Sequence, residues 1–258
     1  MTQPASLTPP LQIDGLTKRY RKLVAVDSLN LSVESGQFVG LIGPNGAGKS
    51  TLMGCITGLL AADEGTVHVS GVDVQDDPIG VRRHVGFIPQ DLELFDYLTG
   101  EEFLRFVADV RGVAEADAPS EVEDLLALAG LTDARHRIVS EYSGGMRRKI
   151  ALVSALLGSP ELLLLDEAFV GLDPESTWRI RKRLAAYCES GGAIILSSHA
   201  LEMIQEICDR VVILQDGTVR RDLKELDFRS DSKPDGFDSL TELYLDATGQ
   251  ADLERTGS

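Results

Sequence analysis

Short apolar runs and amphipathic stretches alternate along most of the chain. Runs such as Phe38–Ile42 and 162–165 are four or five residues long and contain no alternating polar positions, which is typical of strands buried on both faces. Within 49–60, by contrast, apolar residues recur every three or four positions, as on one face of a helix. Because short buried strands alternate with helices, the pattern predicts an α/β fold with a parallel sheet.

The remaining elements follow from the same two periodicities. We predict strands at 11–14, 29–33, 66–69, 72–74, Val85–Ile88, 193–196, 211–214 and 218–219, and helices at 143–157, 176–188 and 201–208. Residues 91–130 carry helical spacing alone, so we expect two or three helices there, in a helical insertion covering about 91–142. The insertion would interrupt a domain at 1–228, and 229–258 would be a polar tail with a short amphipathic helix.

Composition narrows the functional classes. The 258 residues include 25 Lys and Arg against 41 Asp and Glu, a net charge of −16, which disfavours a nucleic-acid partner and an anionic membrane surface. Cys55, Cys188 and Cys208 are too few and too scattered for a disulfide framework or a zinc site, so we expect buried, reduced thiols in a cytosolic protein. Residues 1–10 lack the features of a signal peptide, and no run of about 18 apolar residues occurs, so we expect no direct membrane insertion.

A glycine-rich loop between a predicted strand and a predicted helix carries the strongest chemical signal. It reads Gly43, Pro44, Asn45, Gly46, Ala47, Gly48, Lys49, Ser50 and Thr51, which fits the pattern G-x-x-x-x-G-K-[ST]. Glycines permit the backbone angles that turn successive N–H groups toward a phosphate, and the following helix adds its free N-terminal N–H groups. Lys49 would reach the β- and γ-phosphates and Ser50 would offer a hydroxyl to Mg²⁺, so all nine are candidate nucleotide-binding residues.

Two carboxylates end the apolar run 162–165. Because ligands of parallel α/β sheets bind at the carboxyl ends of the strands, Asp166 is placed to hold Mg²⁺. Glu167 follows it and is a candidate catalytic base that orients and deprotonates a water for attack on the γ-phosphate. Alone, the pair would be read as two solvated acids at a strand end, but beside the phosphate loop the catalytic interpretation is favoured.

Together these motifs, in this order over roughly 11–220, resemble the ATP-binding subunit of ABC transporters. The resemblance implies an α/β P-loop NTPase (RecA-like) core with an N-terminal antiparallel β subdomain and an inserted α-helical subdomain, and ATP and Mg²⁺ as cofactors. It also implies that Tyr20 stacks on adenine, that Gln90 reaches Mg²⁺ and the attacking water, and that His199 contacts the γ-phosphate. Gln90 and His199 are therefore candidate catalytic residues, and Gln90 joins Ser50 and Asp166 as a candidate metal ligand.

The family signature, usually Leu-Ser-Gly-Gly-Gln, has a counterpart at 142–146, where tyrosine and methionine replace the first and last residues. The core of the motif is kept, because Ser143 is a good helix N-cap and Gly144 and Gly145 allow close approach to a phosphate. In the family that phosphate belongs to ATP on a second subunit, and Asp173 matches the loop that crosses between subunits. The resemblance thus implies a head-to-tail homodimer or heterodimer in which all four residues contact ATP.

Segment 94–106 is similar to the part of ABC-2-type exporter subunits that meets the permease. The resemblance implies an exporter whose membrane permease is a separate chain, with this chain peripheral on the cytoplasmic face of the membrane. The acidic turn at 99–102 would face the permease and would also cap a helix. The basic runs at 147–149 and 179–183 are expected to be solvated helix faces.

Two other interpretations are weighed beside the transporter. A soluble ABC-type ATPase that regulates a non-transport macromolecular partner would carry the same motifs, and its partner, rather than its sequence, would distinguish it. A P-loop kinase or GTPase outside the ABC family is disfavoured, because it leaves Gln90, His199 and the serine-glycine-glycine core at Ser143 unexplained.

Overall fold

Two sheets make up the core of the computed structural model, which describes residues 8–224, Phe228 and 239–249. The strands are β1 Leu11–Tyr20, β2 Leu23–Val33, β3 Phe38–Ile42, β4 Glu64–Val69, β5 Val72–Asp73, β6 Val85–Ile88, β7 Leu162–Asp166, β8 Ala193–Ser197, β9 Arg210–Gln215 and β10 Thr218–Lys224. The helices are α1 Lys49–Ile56, α2 Pro78–His84, α3 Gly100–Arg111, α4 Ala118–Ala129, α5 Gly144–Ser154, α6 Pro174–Glu189, α7 Leu201–Ile207 and α8 Leu240–Ala247.

The larger sheet is the parallel core that the sequence predicts. Its order is β10-β9-β3-β8-β7-β6, with β10 antiparallel to β9 and the other strands parallel. Every residue of β3, β7 and β8 is buried, because alternate side chains enter two different cores. Ile194 and Leu196 pack with the helices that follow β6, whereas Ala193 and Ile195 pack with the smaller sheet.

The smaller sheet is antiparallel, in the order β2-β1-β4-β5, and it is larger than predicted. Strands β1 and β2 form one long hairpin that continues to Tyr20 and Leu23, beyond the predicted strands at 11–14 and 29–33. The extension escaped prediction because Leu23 and Val24 are exposed, so no apolar face repeats there. The hairpin extension carries Tyr20 toward the phosphate loop.

Helices α3 and α4 lie where the sequence predicts a helical insertion, between β6 and β7. Helix α3 begins at a capping box in which Thr99 Oγ1 accepts the Glu102 N–H at 3.2 Å and Glu102 Oε2 accepts the Thr99 N–H at 2.8 Å. Helix α4 packs against α3, α5 and α6. The two helices therefore form one layer with α5, the helix that follows the signature.

Among the described residues, helix α2 was not predicted, and helices α1 and α5 end four and three residues earlier than predicted. Helix α2 begins at Asp77, whose side chain accepts the Gly80 N–H at 2.8 Å, with Pro78 in the first helical position. This Asp-Pro pair is a recognised helix start that the sequence pattern contains. Helix α1 ends at Ile56 instead of near residue 60, because Gly58 adopts φ +67° and stops the helix.

The C-terminal helix α8 packs on the core. Leu240 and Leu243 are buried, and α8 contacts α7, the helix that follows His199. Gln215 Nε2 also donates to the Thr248 carbonyl at 3.3 Å. An amphipathic helix was predicted here, and the linker predicted before it at 230–236 falls outside the described residues.

Burial of the cysteines agrees with the sequence prediction. All three side chains are buried. Burial raises the pKa of Cys55 to about 11 and that of Cys188 to about 12. As for the membrane, none of the helices in the described ranges has both the length and the apolar character that a bilayer span requires.

Candidate nucleotide site

A cavity of about 250 Å³ opens where the carboxyl ends of the parallel strands meet the hairpin of β1 and β2. It is lined by Tyr20, Leu23, Ala25, Asn45, Gly46, Ala47, Gly48, Lys49, Ser50, Thr51, Gln90, Asp166, Glu167 and His199. The structure thus brings together candidate residues from five separate stretches of the chain. Leu23 and Ala25 are lining residues that sequence reasoning missed, since neither carries a chemical signal.

The phosphate loop needs its glycines for two physical reasons. Gly46 and Gly48 adopt positive φ angles of +81° and +104°, which side-chain-bearing residues rarely adopt. A Cβ on Gly48 would lie 2.3 Å from the Ala25 carbonyl oxygen, and one on Gly43 would lie 2.2 Å from that of Leu214. Because Gly48 offers no side chain to cap α1, the first N–H groups of that helix remain available to an anion.

Lys49 lies folded over the loop. Its Nζ donates to the Gly43 carbonyl at 2.6 Å and to the Pro44 carbonyl at 3.2 Å. Burial lowers the pKa of Lys49, while the nearby charges of Asp166 and Glu167 oppose that shift. A half-buried ammonium held by two carbonyls, beside free helix N–H groups, is well placed to exchange those carbonyls for phosphate oxygens.

Asp166 is the centre of a small oxygen cluster. The residue is buried, and its Oδ2 accepts a hydrogen bond from Ser50 Oγ at 2.8 Å. Its other oxygen accepts a short hydrogen bond from Ser197, which pairs with Asp166 across β7 and β8. Carboxylate and hydroxyl oxygens are the donors that Mg²⁺ prefers, so Asp166 and Ser50 fit that ion. Sequence reasoning missed Ser197, because its contact with Asp166 depends on the pairing of β7 with β8.

Glu167 occupies a strained position at the edge of the sheet. It adopts φ +50°, uncommon for a non-glycine residue, and its N–H donates to the Ser197 carbonyl at 3.1 Å. Among the residues that the structure describes, none forms a hydrogen bond with its buried Oε1, and His199 Nε2 lies 3.5 Å from that oxygen without hydrogen-bond geometry. Burial raises the pKa of Glu167, His199 and Lys49 lower it, and Asp166 raises it further. Such a carboxylate is suited to hold a water and accept its proton.

Three candidates lie at the rim of the cavity. Tyr20 is 44% exposed at the tip of its hairpin, and its ring is therefore open to stacking. Gln90 is exposed just after β6, and the His199 side chain is exposed just after β8. Because these side chains are exposed at the rim, they can approach a nucleotide that fills the cavity.

Ser143, Gly144, Gly145 and Asp173 lie outside this cavity. Ser143 caps α5 by accepting the Met146 N–H at 3.3 Å, and a Cβ on Gly144 would meet no atom within 4 Å. Asp173 caps α6, and the hydrogen bond from the Ser176 N–H is the main reason why its pKa falls to about 2. The tip of α5 is therefore an open helix N-terminus that is separate from the cavity.

The basic run at 147–149 does not form a solvated face, and that prediction was wrong. Arg147 pairs with Asp96 at 2.5 Å, Arg148 donates to the Gln90 carbonyl at 3.2 Å, and Lys149 lies 3.4 Å from Asp173. These partners lie 51, 58 and 24 residues away along the chain, so a local charge pattern does not reveal them.

Comparison with known proteins gives the site its family. The model of the family described as ABC transporter matches residues 26–170. The daunorubicin/doxorubicin resistance ATP-binding protein DrrA of Streptomyces peucetius is 35% identical, over 98% of this chain and 75% of that protein. The linearmycin resistance ATP-binding protein LnrL of Bacillus subtilis (strain 168) is 35% identical over 80% and 67%. The Nod factor export ATP-binding protein I of Mesorhizobium japonicum is 37% identical over 81% and 62%.

Comparison with solved structures gives the same family. One described as the ATP binding subunit of an ABC transporter matches with a TM-score of 0.87 and 34% identity, over 92% of this chain and 99% of that one. A dimeric ATP-binding cassette in a post-hydrolysis state, bound to ADP and Pi, matches with a TM-score of 0.77 and 25% identity, over 83% and 98%. With the phosphate loop, the two carboxylates and the open helix tip in place, the chain belongs to the ABC transporter family, as an ATP-binding and ATP-hydrolysing subunit.

Proposed function

We propose that this chain hydrolyses ATP as one half of a head-to-tail dimer and so drives an export permease formed by a separate chain. The observation that carries the proposal is the separation of two half-sites within one chain: the cavity lined by the phosphate loop, and an open α5 tip that lies outside it. A single chain leaves each half-site incomplete. Two copies, or this chain and a similar one, complete both when each tip faces the other's cavity.

In the proposed site the loop from Gly43 to Thr51, which includes Lys49, binds the phosphates. Tyr20 stacks on adenine. Ser50, Asp166 and Gln90 would hold Mg²⁺, which neutralises phosphate charge when bound. The hydrogen bonds from Ser50 and Ser197 already orient the Asp166 carboxylate for that task.

Hydrolysis in this proposal depends on Glu167. Its unpartnered Oε1 positions a water and takes its proton, and burial favours the protonated product because it raises the carboxyl pKa. His199, beside that oxygen, contacts the γ-phosphate. Ser143, Gly144 and Gly145 of the partner subunit bind the γ-phosphate from the opposite side, with Asp173 at the crossing.

The permease would dock in an apolar groove that α3 lines together with residues near α1 and α2. The groove has a volume of about 460 Å³ between α1, α2 and α3, and Leu59, Ile79 and Val110 at its surface are 59%, 71% and 65% exposed. Large apolar side chains that remain this exposed favour a protein partner. The acidic turn at 99–102 is a weaker candidate for that contact, because Glu101 pairs with Arg135 at 2.9 Å and Glu102 caps α3. Drug resistance and Nod factor export in the relatives favour export, and the docked chain would lie on the cytoplasmic membrane face.

Glu167→Gln tests the catalytic half of the proposal. The variant keeps the shape of the side chain but removes the proton acceptor, so we expect ATP turnover to fall by a factor of about 100 or more. It should also accumulate an ATP-bound dimer, measured by size-exclusion chromatography with light scattering. The matched control is Glu161→Gln, which alters an exposed carboxylate just before β7, away from the cavity. Parental turnover in Glu167→Gln would contradict the proposal.

Ile79→Asp tests the transport half. Placing a charge in the groove should abolish co-purification of a membrane protein in mild detergent while the ATPase rate of the isolated chain stays within about twofold of the parent. Recovery of a soluble assembly, such as ribosomes, with no membrane protein would instead favour the soluble ABC-type regulator.

A further inference from the structure

Gln90 begins an irregular stretch of chain between a strand and a helix. Strand β6 ends at Ile88, α3 begins at Gly100, and residues 91–98 form neither helix nor strand. Gln90 itself is exposed. Among the hydrogen bonds of the described residues, the one that ties Gln90 to another element is donated by Arg148 Nη1 to its main-chain carbonyl, at 3.2 Å. Within the described residues, the start of the stretch is therefore held by this hydrogen bond and by Leu92, which packs against the core.

The far end of the same stretch is held more firmly. Arg147 pairs with Asp96 at 2.5 Å and also donates to the Val139 carbonyl at 3.1 Å. The Ser140 N–H adds a hydrogen bond to the Asp96 carbonyl at 3.1 Å. The far end is thus anchored by several polar contacts, whereas among the described residues the hydrogen bond from Arg148 is the polar contact that ties Gln90 to another element.

Arg147 and Arg148 both belong to α5, the helix whose open tip begins at Ser143. A helix rises by about 1.5 Å per residue and is stiff over five residues, so Arg148 keeps a fixed distance of about 7.5 Å along the axis from that tip. The hydrogen bond from a guanidinium to a carbonyl is among the stronger kinds and is directional. A displacement of the α5 tip would therefore move the donor of the hydrogen bond to the Gln90 carbonyl.

We propose that Arg148 is a positioning residue that couples the tip of α5 to Gln90. The inference rests on the proposed function, in which Gln90 serves the ATP of its own subunit and the α5 tip contacts the ATP of the partner. Closure of the tip on the partner's nucleotide would then set Gln90 in place in its own site. Arg148 acts only through Gln90 and does not itself reach the nucleotide cavity.

A double-mutant cycle tests this. We expect Arg148→Ala to lower kcat about tenfold, the effect of one charged hydrogen bond, with the KM for Mg·ATP unchanged within about twofold. In the Gln90→Ala background the same substitution should lower kcat by less than about twofold further, because the group that Arg148 positions is already gone. Arg183→Ala, which removes an exposed cation on α6, is the control and should match the parent.

Two results would overturn the inference: an Arg148→Ala enzyme with the parental kcat, or a tenfold loss that multiplies with the loss caused by Gln90→Ala. The second result indicates a general structural role. Should Arg148→Ala be unstable, Arg148→Gln, which keeps the aliphatic stem and removes the charge, is held to the same criteria. The proposed function is judged separately, because it is contradicted if Glu167→Gln keeps the parental turnover. If Glu167→Gln is inactive and the losses of Arg148→Ala and Gln90→Ala multiply, only the positioning role is rejected.

Discussion

Alanine at Gly48, compared with alanine at Gly46, separates two demands of the phosphate loop. Both glycines have positive φ angles, +104° and +81°. They differ in space, because a Cβ on Gly48 would lie 2.3 Å from the Ala25 carbonyl oxygen while a Cβ on Gly46 would meet nothing within 4 Å. The pair therefore shares backbone strain but only Gly48→Ala adds a collision with main chain.

The magnitudes follow from these two terms. A left-handed backbone costs a residue with a side chain about 1–2 kcal/mol, which applies to both variants. The collision forces β2 or the loop to shift, at about 1–3 kcal/mol more for Gly48→Ala. Replacing glycine by alanine also stabilises both variants by about 0.4–1 kcal/mol, because alanine restricts the unfolded chain. Gly46→Ala should thus lose about tenfold or less in ATP affinity, and Gly48→Ala about tenfold more than Gly46→Ala.

The strain lowers either the free energy of unfolding or the affinity for ATP, so both quantities are measured. Urea unfolding without nucleotide gives the loss of stability, and equilibrium binding of ATP in the presence of a chelator gives the loss of affinity without hydrolysis. We expect the sum of the two free-energy losses to be larger for Gly48→Ala by about 1 kcal/mol or more. Equal sums for the two variants would refute the reasoning, since they would show that the approach of Ala25 does not constrain the loop.

Two further predictions concern titratable groups. Because burial raises the pKa of the Glu167 carboxyl, its ionised form destabilises the fold above that pKa, and the penalty disappears below the unfolded value. Glu167→Gln should therefore raise Tm at pH 7.5 but not at pH 4, in thermal scans; an equal change at both pH values would contradict this. Cys55 and Cys188, with pKa values raised to about 11 and about 12, should resist an aromatic disulfide reagent at pH 8 until the chain unfolds, and rapid labelling of native protein would disprove their burial.

Local patterns were enough for the parts of the site that are contiguous in the chain. The phosphate loop is one stretch from Gly43 to Thr51, and the spacing of its glycines, lysine and hydroxyls is enough to predict phosphate binding. Asp166 and Glu167 were found because they end a buried strand, and the sheet does bring that end to the loop. Helix α2 could also have been predicted, because Asp77 is a typical N-cap residue and Pro78 is typical of the first helical position. This signal was not used to predict a helix from the sequence.

Contacts between distant stretches were beyond such patterns. Ser197 lies 31 residues from Asp166 and bonds to it only because β7 and β8 are neighbours in register. The cations at 147–149 looked like a solvated face, yet α5 packs where Asp96, Gln90 and Asp173 can take them up. Periodicity and spacing report the secondary structure and chemistry of consecutive residues, so the amino-acid order alone predicts which groups bind phosphate. Which side chains orient those groups depends on packing between segments, and that is settled only when the chain is folded.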